Sequence, residues 1–304
     1  MYYFIINPNS SSGKGLLFCK SIEPVLKERG VTYHLFFTKD RESTAHLVRR
    51  LCTETAPAVI VAVGGDGTVN DVLNGLTNFE KVTFAYIPSG SGNDLARGLH
   101  LETDPLKALE QILSGGQTGR IRIGELSTPA FSRRFLVSSG LGFDAAVCEG
   151  ALHSKFKKFL NQFHLGKLTY TGIALKEIFL SRCPKAKLIL DNDTVIETPT
   201  LLFASAMNLP YEGGGFQFCP EADSKDDHLD LILVEKMPKL KVFLLLPTAF
   251  FGKHTRFRGI HIHTFREARL VTEQPLFLHT DGEIPGKTSE VVWRLLPEAL
   301  TMIL

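Results

Sequence analysis

Residues 58–68 read Ala-Val-Ile-Val-Ala-Val-Gly-Gly-Asp-Gly-Thr and give the strongest indication of how this chain folds. The first six, Ala58–Val63, are all apolar, which is typical of a central strand in a parallel sheet buried on both faces. Gly64–Thr68 then turns the chain, because glycine adopts positive φ angles and lets the backbone approach a ligand closely. Apolar residues recur at helical spacing over Val69–Leu76. A strand, a glycine-rich turn and a helix in succession predict one unit of an α/β fold.

The same alternation of strand and helix extends in both directions from this run. Tyr2–Ile6, Thr32–Phe37 and Thr83–Ile87 are rich in strand-forming residues, and stretches with helical spacing separate them. Strands that alternate with helices favour right-handed βαβ units and a parallel sheet. We therefore predict an α/β N-terminal domain over residues 1–120 that carries the Gly-Gly-Asp-Gly-Thr loop.

The alternation of predicted strands and helices ends after Gly119. Short strand-like segments separated by turn residues predict a β-rich, sandwich-like domain over residues 121–304. Its predicted strands are Arg120–Leu126, Arg134–Ser138, Lys185–Leu190, Thr200–Met207, Leu229–Val234, Ala268–Thr272 and Glu290–Leu295. Lys155–Leu180 interrupts them with helical spacing, as a helical insertion. We expect Leu300–Leu304 to form a last strand that returns to either domain.

The loop Gly64–Thr68 carries the clearest chemical signal. Parallel sheets bind ligands at the carboxyl ends of their strands, and free N–H groups at the start of a helix attract anions. An acid at Asp66 among donors for phosphate makes sense if Mg²⁺ bridges the two. We expect Thr68 to cap the following helix, with Asp71 as its partner. A tight turn in which Asp66 only accepts local hydrogen bonds explains the loop equally well.

Two further polar loops follow predicted strands. Pro88–Asp94 reads P-S-G-S-G-N-D, in which the Asn suits a helix N-cap and the final Asp suits a first helical turn. Asn7–Gly15 resembles a Walker A loop, but Pro8 stands at the first glycine position and Gly15 replaces the terminal Ser or Thr. We reject a P-loop and expect a hydroxyl-rich phosphate loop with Lys14. Three such loops at one sheet edge favour a phosphate-binding site.

Two acidic features stand out in the β-rich half. Asp281-Gly282-Glu283 follows Leu276–His279 in a predicted turn, and taken alone this tripeptide is better explained by an ordinary Asp-Gly turn than by catalysis. Glu221–Asp230 contains five acids, and hard cations take oxygen ligands from such loops. A solvated acidic turn is the equal alternative for this segment.

Charge, apolar run length and cysteine spacing argue against several classes of protein. The 304 residues carry a net charge of +2, which gives no global field that would favour nucleic acid. The longest apolar run, Val242–Phe251, is shorter than the about 20 residues of a membrane-spanning helix, and the N-terminus offers no secretory signal. The five cysteines form no C-x-x-C pair, which predicts reduced thiols. We therefore expect a cytoplasmic protein without a nucleic-acid partner, which can still sit on a membrane.

Taken in order, the motifs resemble those of the bacterial diacylglycerol kinase family of soluble lipid kinases, which is also similar to sphingosine and ceramide kinases. The resemblance covers nearly the whole chain. Its parts are N-P-x-S at Asn7–Ser10, G-G-D-G-T-x-N at Gly64–Asn70, P-x-G-S-G-N-D-x-A-R at Pro88–Arg97, G-x-G-F-D-A at Gly140–Ala145, G-G-G-F at Gly213–Phe216 and D-G-E at Asp281–Glu283. NAD kinases and phosphofructokinases carry loops like Gly64–Thr68, so the ordered set is more specific than any single motif.

The resemblance implies roles for individual residues. Asp66 and Asp94 match acids that organise Mg²⁺–ATP, and Glu283 matches the proton acceptor, with Asp281 beside it. The positions that match ATP-binding residues are Asn7, Pro8, Asn9, Ser10, Ser11, Thr38, Gly64, Gly65, Asp66, Gly67, Thr68, Asn70 and Ser91.

The resemblance also implies a structural Mg²⁺ site. The family forms it with a D-D-G segment, and the matching stretch here reads Lys225-Asp226-Asp227. Asp226 is kept, whereas Lys225 and Asp227 replace the first Asp and the Gly. The remaining ligands would be backbone carbonyls near Asp223 and His228.

Together these features predict phosphoryl transfer from ATP to a lipid hydroxyl, with diacylglycerol converted to phosphatidic acid. Lys14 and the Gly64–Thr68 N–H groups hold the triphosphate, Mg²⁺ on Asp66 and Asp94 neutralises developing charge, and Glu283 accepts the proton. The reaction is expected between the two domains. An NAD kinase-like enzyme and a nucleotide-binding regulatory protein without catalysis are the alternatives. The sequence leaves the lipid and the oligomeric state open, and a homodimer is one arrangement it allows.

The helical insertion predicts peripheral membrane contact. A basic, amphipathic helix with large apolar residues can lie in a lipid interface. The residues concerned are Lys155, Lys157, Lys158 and Lys167, with Phe156, Phe159, Leu160, Phe163 and Leu165. Packing of this apolar stripe on its own domain is the alternative.

Overall fold

The computed structural model describes residues 1–10, 14–54, 58–90, 92–153 and 181–304. They form two compact units, one made of Met1–Ile123 with Pro297–Leu304 and the other of Gly124–Leu296. The predicted helical insertion Lys155–Leu180 lies outside the described residues. The first unit is α/β with parallel strands and the second is β-rich, which confirms the predicted fold class.

The first unit is built on a parallel sheet. Its strands are β1 (Tyr2–Ile6), β2 (Tyr33–Phe37), β3 (Ala58–Gly64), β4 (Val82–Pro88) and the final part of β16 (Glu283–Ile303). β1 pairs with β2 on one side and β3 on the other, and β4 pairs with the far side of β3. Beyond β4, Thr301 and Met302 pair in parallel with Thr83 and Phe84. The apolar run that indicated the fold is therefore a central strand, and its side chains are almost all buried.

Helices cover this sheet. In the described part of the unit they are α1 (Lys14–Glu28), α2 (Arg41–Glu54), α3 (Asp66–Gly75), α4 (Asp94–Gly98) and α5 (Pro105–Leu113). The core joins Phe4, Val61 and Ile87 of the strands to Ile22 of α1 and Leu109 of α5. Helix α5 was not predicted from the sequence. It begins with Pro105 at its first turn and Asp104 as its cap, which are both common starts for a helix.

The second unit is an antiparallel β structure. Its main strands are hydrogen-bonded in the order β14-β13-β10-β7-β15-β16. β8 pairs with both β15 and β9, and β6 pairs with β5. Six of the seven predicted strand segments each overlap one observed strand, whereas Arg134–Ser138 spans the end of β6, two residues outside any strand and the start of β7. The bounds are β5 (Thr118–Ser127), β6 (Ser132–Phe135), β7 (Ser138–Gly142), β8 (Ala186–Leu190), β9 (Thr194–Thr198), β10 (Leu201–Met207), β11 (Tyr211–Glu212), β12 (Phe216–Gln217), β13 (Leu229–Glu235), β14 (Ile260–Phe265), β15 (Glu267–Thr280) and the first part of β16. Alternate residues of these strands fill a core around the fully buried Trp293.

Two α-helices and a short 3₁₀ helix accompany the described strands of this unit. They are α6 (Phe143–His153), α7 (Lys239–Ala249) and the 3₁₀ helix Lys253–Arg256. Val242 and Leu246 of α7 pack against a core cluster that includes Ile232 and Val234. From the sequence this region was recognised only as an apolar run, because α7 lacks the polar face that makes a surface helix recognisable.

Candidate active site

Three loops of the first unit meet beyond the carboxyl ends of β1, β3 and β4. The backbone N–H of Asn7 donates to the Val63 carbonyl (2.9 Å), and the N–H of Ser89 donates to the Gly64 carbonyl (2.7 Å). Because β3 lies between β1 and β4, the loop Gly64–Thr68 lies between the other two loops. The structure therefore brings together the three loops in which the sequence predicted phosphate binding.

The loops pack closely because glycines face each other. A Cβ on Gly90 would lie 2.5 Å from the Cα of Gly65, a distance that no real Cβ contact allows. Any larger residue at Gly90 would push the loop Pro88–Asp94 away from the loop Gly64–Thr68.

Side chains also link the loops. The Asn7 amide nitrogen donates to Thr68 Oγ1 (3.2 Å), and the hydroxyls of Ser10 and Ser89 lie 3.0 Å apart. The prediction that Thr68 caps α3 was wrong. The helix begins at Asp66, one turn earlier, without any side-chain cap, and the Thr68 hydroxyl instead accepts the bond from Asn7.

Asp66 caps α4, the helix that begins at the end of the loop Pro88–Asp94. Its Oδ2 accepts the N–H of Asp94 (3.1 Å) and its Oδ1 accepts the N–H of Leu95 (3.2 Å) at the start of α4. Asn93 occupies the predicted N-cap position, but its side chain does not cap the helix. It adopts a left-handed conformation (φ 53°), and its amide exchanges two 3.1 Å hydrogen bonds with the backbone of Gly90.

Tyr86 supports this arrangement and was not identified from the sequence. Its hydroxyl lies 3.2 Å from the Gly64 carbonyl and 3.1 Å from Asn93 Oδ1, so it bridges two loops. Burial raises the pKa of Tyr86 well above its usual value, and the nearby charges of Asp66 and Asp94 raise it further. The phenol therefore stays protonated as a donor. A tyrosine within an apolar strand gives no sequence signal for this role.

The carboxylates of Asp66 and Asp94 border a space that a glycine leaves open. A Cβ on Gly92 would lie 3.0 Å from Asp66 Oδ2 and 3.8 Å from Asp94 Oδ2. Asp94 is also bonded by the guanidinium of Arg97. Burial raises the pKa of Asp66, although its backbone hydrogen bonds act in the opposite direction. Two carboxylate oxygens beside a space without a side chain fit Mg²⁺, which prefers oxygen ligands.

Other predicted nucleotide positions are spread around these loops. The N–H of Asn9 donates to Asn7 Oδ1 (2.9 Å), which closes the first loop locally. The N–H of Thr38 donates to the Ile6 carbonyl (2.9 Å), which places Thr38 just beyond β2 at the same sheet edge. Asn70 is fully buried within α3.

The remaining predicted positions divide into two groups. Pro8 lies in the first loop, and Gly67 lies in the first turn of α3. Ser11, Ser91 and the side chain of Lys14 lie outside the described part of the chain. Their roles in nucleotide binding stay predictions.

In the second unit, Asp281-Gly282-Glu283 forms a tight hairpin turn between β15 and β16. Thr280 pairs with Glu283, and both central residues have positive φ, 47° at Asp281 and 79° at Gly282. This is the pattern of a type I′ turn, for which Asp-Gly is a preferred sequence. The turn places Glu283 at the first, partly buried position of β16.

The carboxylate of Asp281 is held by three backbone donors. Its Oδ1 accepts from Val137 (2.9 Å) and Ser138 (3.1 Å), and its Oδ2 accepts from Leu136 (3.1 Å). These bonds tie the turn to the junction between β6 and β7. Both carboxylate oxygens of Asp281 are therefore engaged by the backbone.

A buried cluster of charged groups lies next to this turn. His279 Nε2 lies 3.1 Å from Asp144 Oδ2 and 3.3 Å from Glu212 Oε1. The second carboxylate oxygens accept from the Ala145 N–H (2.7 Å) and the Ser205 hydroxyl (3.1 Å). Within the described ranges this is the group whose ligand atoms could surround a metal ion. A protonated His279 supplies positive charge at the same place.

The charges in this triad shift each other's ionisation. Burial lowers the pKa of His279, but the charge of Glu212 and the hydrogen bond with Asp144 outweigh it and raise the pKa well above its usual value. Burial raises the pKa of Asp144. Burial acts likewise on Glu212, but His279 outweighs it and lowers the pKa of that carboxyl. A positive imidazole between two carboxyl groups is therefore the favoured state.

The triad lies in or beside three of the motifs that carry the family resemblance, and none of its own residues was predicted from the sequence. Asp144 lies in G-x-G-F-D-A, Glu212 precedes G-G-G-F, and His279 precedes D-G-E. A Cβ on Gly140, the first glycine of its motif, would lie 1.8 Å from Asp144 Oδ2 and 2.5 Å from His279 Nε2. Gly140 therefore makes room for the ion pair. The three motifs marked the cluster, but only the fold shows that they meet.

The predicted structural Mg²⁺ ligands lie elsewhere in the second unit and are engaged locally. Asp223 Oδ1 accepts from the Lys225 N–H (3.0 Å), and the Asp223 carbonyl accepts from the Asp226 N–H (3.2 Å). Asp226 Oδ1 accepts from the His228 N–H, and Asp226 Oδ2 lies 3.2 Å from His228 Nε2. The structural Mg²⁺ site at Asp223, Asp226 and His228 stays a prediction.

Two family models match this chain. Residues 1–126 match the diacylglycerol kinase catalytic domain, and residues 137–304 match the YegS C-terminal NAD kinase beta sandwich-like domain. Together they account for both units.

Curated relatives match along most of the chain. A Bacillus subtilis protein named YtlR, provisionally called a lipid kinase, is 29% identical over 94% of both chains. The diacylglycerol kinase of Mycobacterium tuberculosis H37Rv is 28% identical over 94% of this chain and 91% of the relative. The diacylglycerol kinase of Staphylococcus saprophyticus is 28% identical over 92% of this chain and 88% of its own.

Solved structures share the fold. A crystal structure of a diacylglycerol kinase from Bacillus anthracis superimposes with a TM-score of 0.72, 20% identity, and coverage of 99% of this chain and 96% of the other. An NAD kinase from Archaeoglobus fulgidus in complex with ATP superimposes with a TM-score of 0.55 at 14% identity, with coverage of 100% and 94%.

Proposed function

Because the chain belongs to the diacylglycerol kinase family, we propose that it transfers the γ-phosphoryl group of ATP to a lipid hydroxyl, converting diacylglycerol to phosphatidic acid. The observation that carries this proposal is the meeting of three polar loops at one edge of the parallel sheet, with Asp66 and Asp94 beside the open space at Gly92.

The loops of the first unit bind the nucleotide. Gly64–Thr68 opens α3, and the first N–H groups of a helix have no partner within the helix, so those of Asp66 and Gly67 are placed to bind phosphate oxygens. Lys14, at the start of α1, adds positive charge for the triphosphate. Asn7, Ser10 and Thr38 lie at the same sheet edge, where the rest of the nucleotide is bound.

Asp66 and Asp94 are the residues that would hold Mg²⁺. When bound there, the ion neutralises negative charge that develops on the transferring phosphoryl group. The carboxylate of Asp66 is fixed by the N–H groups of Asp94 and Leu95, so its orientation does not depend on the ion.

Glu283 acts as the general base. The lipid hydroxyl oxygen attacks the γ-phosphorus, the bond from that phosphorus to the β–γ bridging oxygen breaks, and ADP leaves with the electron pair. The hydroxyl proton passes to the Glu283 carboxylate. Asp281 keeps Glu283 in place through its three backbone hydrogen bonds.

A lipid substrate requires contact with a membrane surface, so we also propose a peripheral, cytoplasmic association and leave a homodimer as one assembly state. In the described ranges, no helix combines the length and the apolar character needed to cross a bilayer. The segment around Lys155–Lys167, in which the sequence predicted membrane contact, lies outside these ranges.

A lipid-panel kinase assay in mixed micelles tests the proposal. Purified protein would receive radiolabelled ATP with diacylglycerol, a sphingoid base, ceramide or a polyprenol, and NAD in a parallel reaction. Label in phosphatidic acid supports the proposal. Label in NADP instead would establish the NAD kinase alternative, which shares the fold and the Gly64–Thr68 type of loop. ATP binding without transfer to any acceptor would favour a regulatory protein.

A further inference from the structure

Helix α7 has an apolar surface where a helix at the protein surface ordinarily carries polar residues. Its inner face, with Leu245 and Ala249, is buried. Its outer face presents Leu240, Phe243 and Leu244, and Leu240 is 70% exposed. A helix that is apolar on all sides is ordinarily covered on all sides, by protein or by lipid.

The exposed apolar surface continues beyond the helix. Phe250, Phe251 and Phe257 are also exposed, Phe251 by 73%. Of the fourteen large hydrophobic side chains that are exposed in the described residues, six fall between Leu240 and Phe257. We call this set, Leu240, Phe243, Leu244, Phe250, Phe251 and Phe257, the α7 face. Such concentration marks an interaction surface rather than the scattered exposure that every protein has.

The segment of sequence that carries the α7 face is basic. The sequence contains no Asp or Glu between Glu235 and Glu267. Over the same stretch it contains the basic residues Lys236, Lys239, Lys241, Lys253, Arg256, Arg258 and Arg266. Lys253, Arg256 and Arg258 are exposed. Apolar rings beside basic side chains are the combination that binds an anionic lipid interface.

A row of aromatic rings anchors the α7 face to the core. Phe250 stacks on Phe216 with ring centroids 4.1 Å apart, and Phe216 stacks on Phe218 at 5.8 Å. Phe218 contacts Phe203 (5.5 Å), which contacts Phe143 (6.2 Å) in the core. The face is therefore part of the packed second unit and is presented on a rigid base.

We propose that the α7 face is a docking surface for an anionic membrane. The choice of a lipid surface rests on the proposed lipid kinase function, whose substrate lies in a bilayer. A second copy of this chain fits less well, because a symmetric contact would bring the same acid-free basic segment opposite itself. The residues of this face lie in a different part of the sequence from Lys155–Lys167, for which membrane contact was predicted from sequence.

Vesicle sedimentation tests this docking surface. The whole chain would be mixed with vesicles of phosphatidylcholine alone or of phosphatidylcholine with phosphatidylglycerol. We expect binding to the anionic vesicles that weakens as salt is added. The double variant Leu244→Ser with Phe251→Ser should weaken this binding at least about tenfold, because it removes two exposed apolar anchors. Leu106→Ser with Val195→Ser, which changes two exposed apolar residues elsewhere, is the matched control.

A charge pair completes the test. Lys253→Gln with Arg256→Gln should weaken binding by about tenfold or more at low salt, since each basic residue near an anionic surface contributes about fivefold. Lys185→Gln with Lys187→Gln changes the net charge equally at exposed positions of the same unit and should bind like the parent chain.

Three results would overturn the proposal: no binding of the parent chain to anionic vesicles, unchanged binding of the Leu244→Ser, Phe251→Ser variant, or a dimer that this variant dissociates. Kinase activity measured on a dispersed short-chain diacylglycerol distinguishes failure of the docking proposal from failure of the proposed kinase function. If all variants keep that activity while vesicle binding is unaffected, the docking surface is wrong and the kinase stands. If the parent chain lacks that activity but docks through the α7 face, the kinase is wrong.

Discussion

Asp66 in the first unit and the buried pair Asp144 and Glu212 in the second are acids that are held by opposite means. In the first, Asp66 is held by neutral N–H groups at the start of α4. In the second, Asp144 and Glu212 are held by one charged partner, His279, at 3.1 and 3.3 Å. Neutral donors orient a carboxylate and leave its charge to attract a cation, whereas an imidazolium cancels that charge within the protein. We infer that Asp66 keeps its negative charge for Mg²⁺–ATP, whereas the triad uses paired charge to hold the strand that leads into the turn with Glu283.

The largest effect that this comparison predicts is at Glu283. Glu283→Gln should lower kcat by about 10²–10⁴-fold and leave ATP affinity nearly unchanged, because a positioned general base contributes in that range. Parallel measurements of kcat and of ATP binding check this. Glu290→Gln, on the same strand, is the control and should behave like the parent. Equal losses of kcat and ATP affinity would move Glu283 to the nucleotide site and break the division between the units.

The next effect tests whether the triad is held by charge. His279→Gln should lower the free energy of unfolding by about 3–5 kcal/mol, because it leaves two buried carboxyl groups without their positive partner. Denaturant unfolding of the purified protein measures it. His254→Gln is the matched control, since His254 is buried in the same unit and its Nε2 lies 3.2 Å from a neutral group, the Phe218 carbonyl. That change should cost about 1 kcal/mol. Similar losses in both variants would show that His279 stabilises by packing alone.

Asp66→Asn should lower activity strongly and stability only slightly, whereas His279→Gln is expected to lower stability strongly. We expect activity to fall more than about tenfold at saturating Mg²⁺, because losing one strong metal contact costs a few kcal/mol and each 1.4 kcal/mol is tenfold. Stability should fall by only about 1 kcal/mol, since an amide keeps one of the two hydrogen bonds to α4. Activity assays and unfolding curves on the same preparation compare the two effects. Asp71→Asn, on the same helix, should leave activity near the parent value. Activity above about a tenth in Asp66→Asn would contradict the assigned role.

The smallest effect is a dependence of stability on pH. The folded pKa of His279 is raised above its unfolded value of about 6.5, so its contribution is complete below that pH and is lost as pH rises through the folded pKa. In that window the free energy of unfolding should decline by up to about 1.4 kcal/mol per pH unit. Urea unfolding at several alkaline pH values measures the slope. His279→Gln should flatten it, and an identical slope in both proteins would assign the dependence to other groups.

Patterns within short segments predicted much of the fold. The limits of β1 and the apolar run of β3 agree with the structure because strand propensity and burial on both faces leave a local signature. α7 was missed because its apolar outer face hides helical periodicity. Thr68 was assigned the cap that α3 lacks, while Asp66 caps a helix 28 residues away in another loop. Asp144 and His279 are 135 residues apart, so their contact depends on the pairing of β15 with β7. Sequence motifs marked these residues without showing which of them meet.

The strand β16 has a consequence for synthesis of the chain. It begins at the Asp281–Glu283 turn in the second unit and ends beside β4 in the first. During translation, the edge of β4 therefore stays unpaired until the entire second unit and the end of β16 have left the ribosome. An unpaired strand edge is a template for wrong pairing between chains. The nascent first unit is thus the stage at which we expect this protein to need a chaperone, and slowing elongation after β4 should prolong its exposure to aggregation.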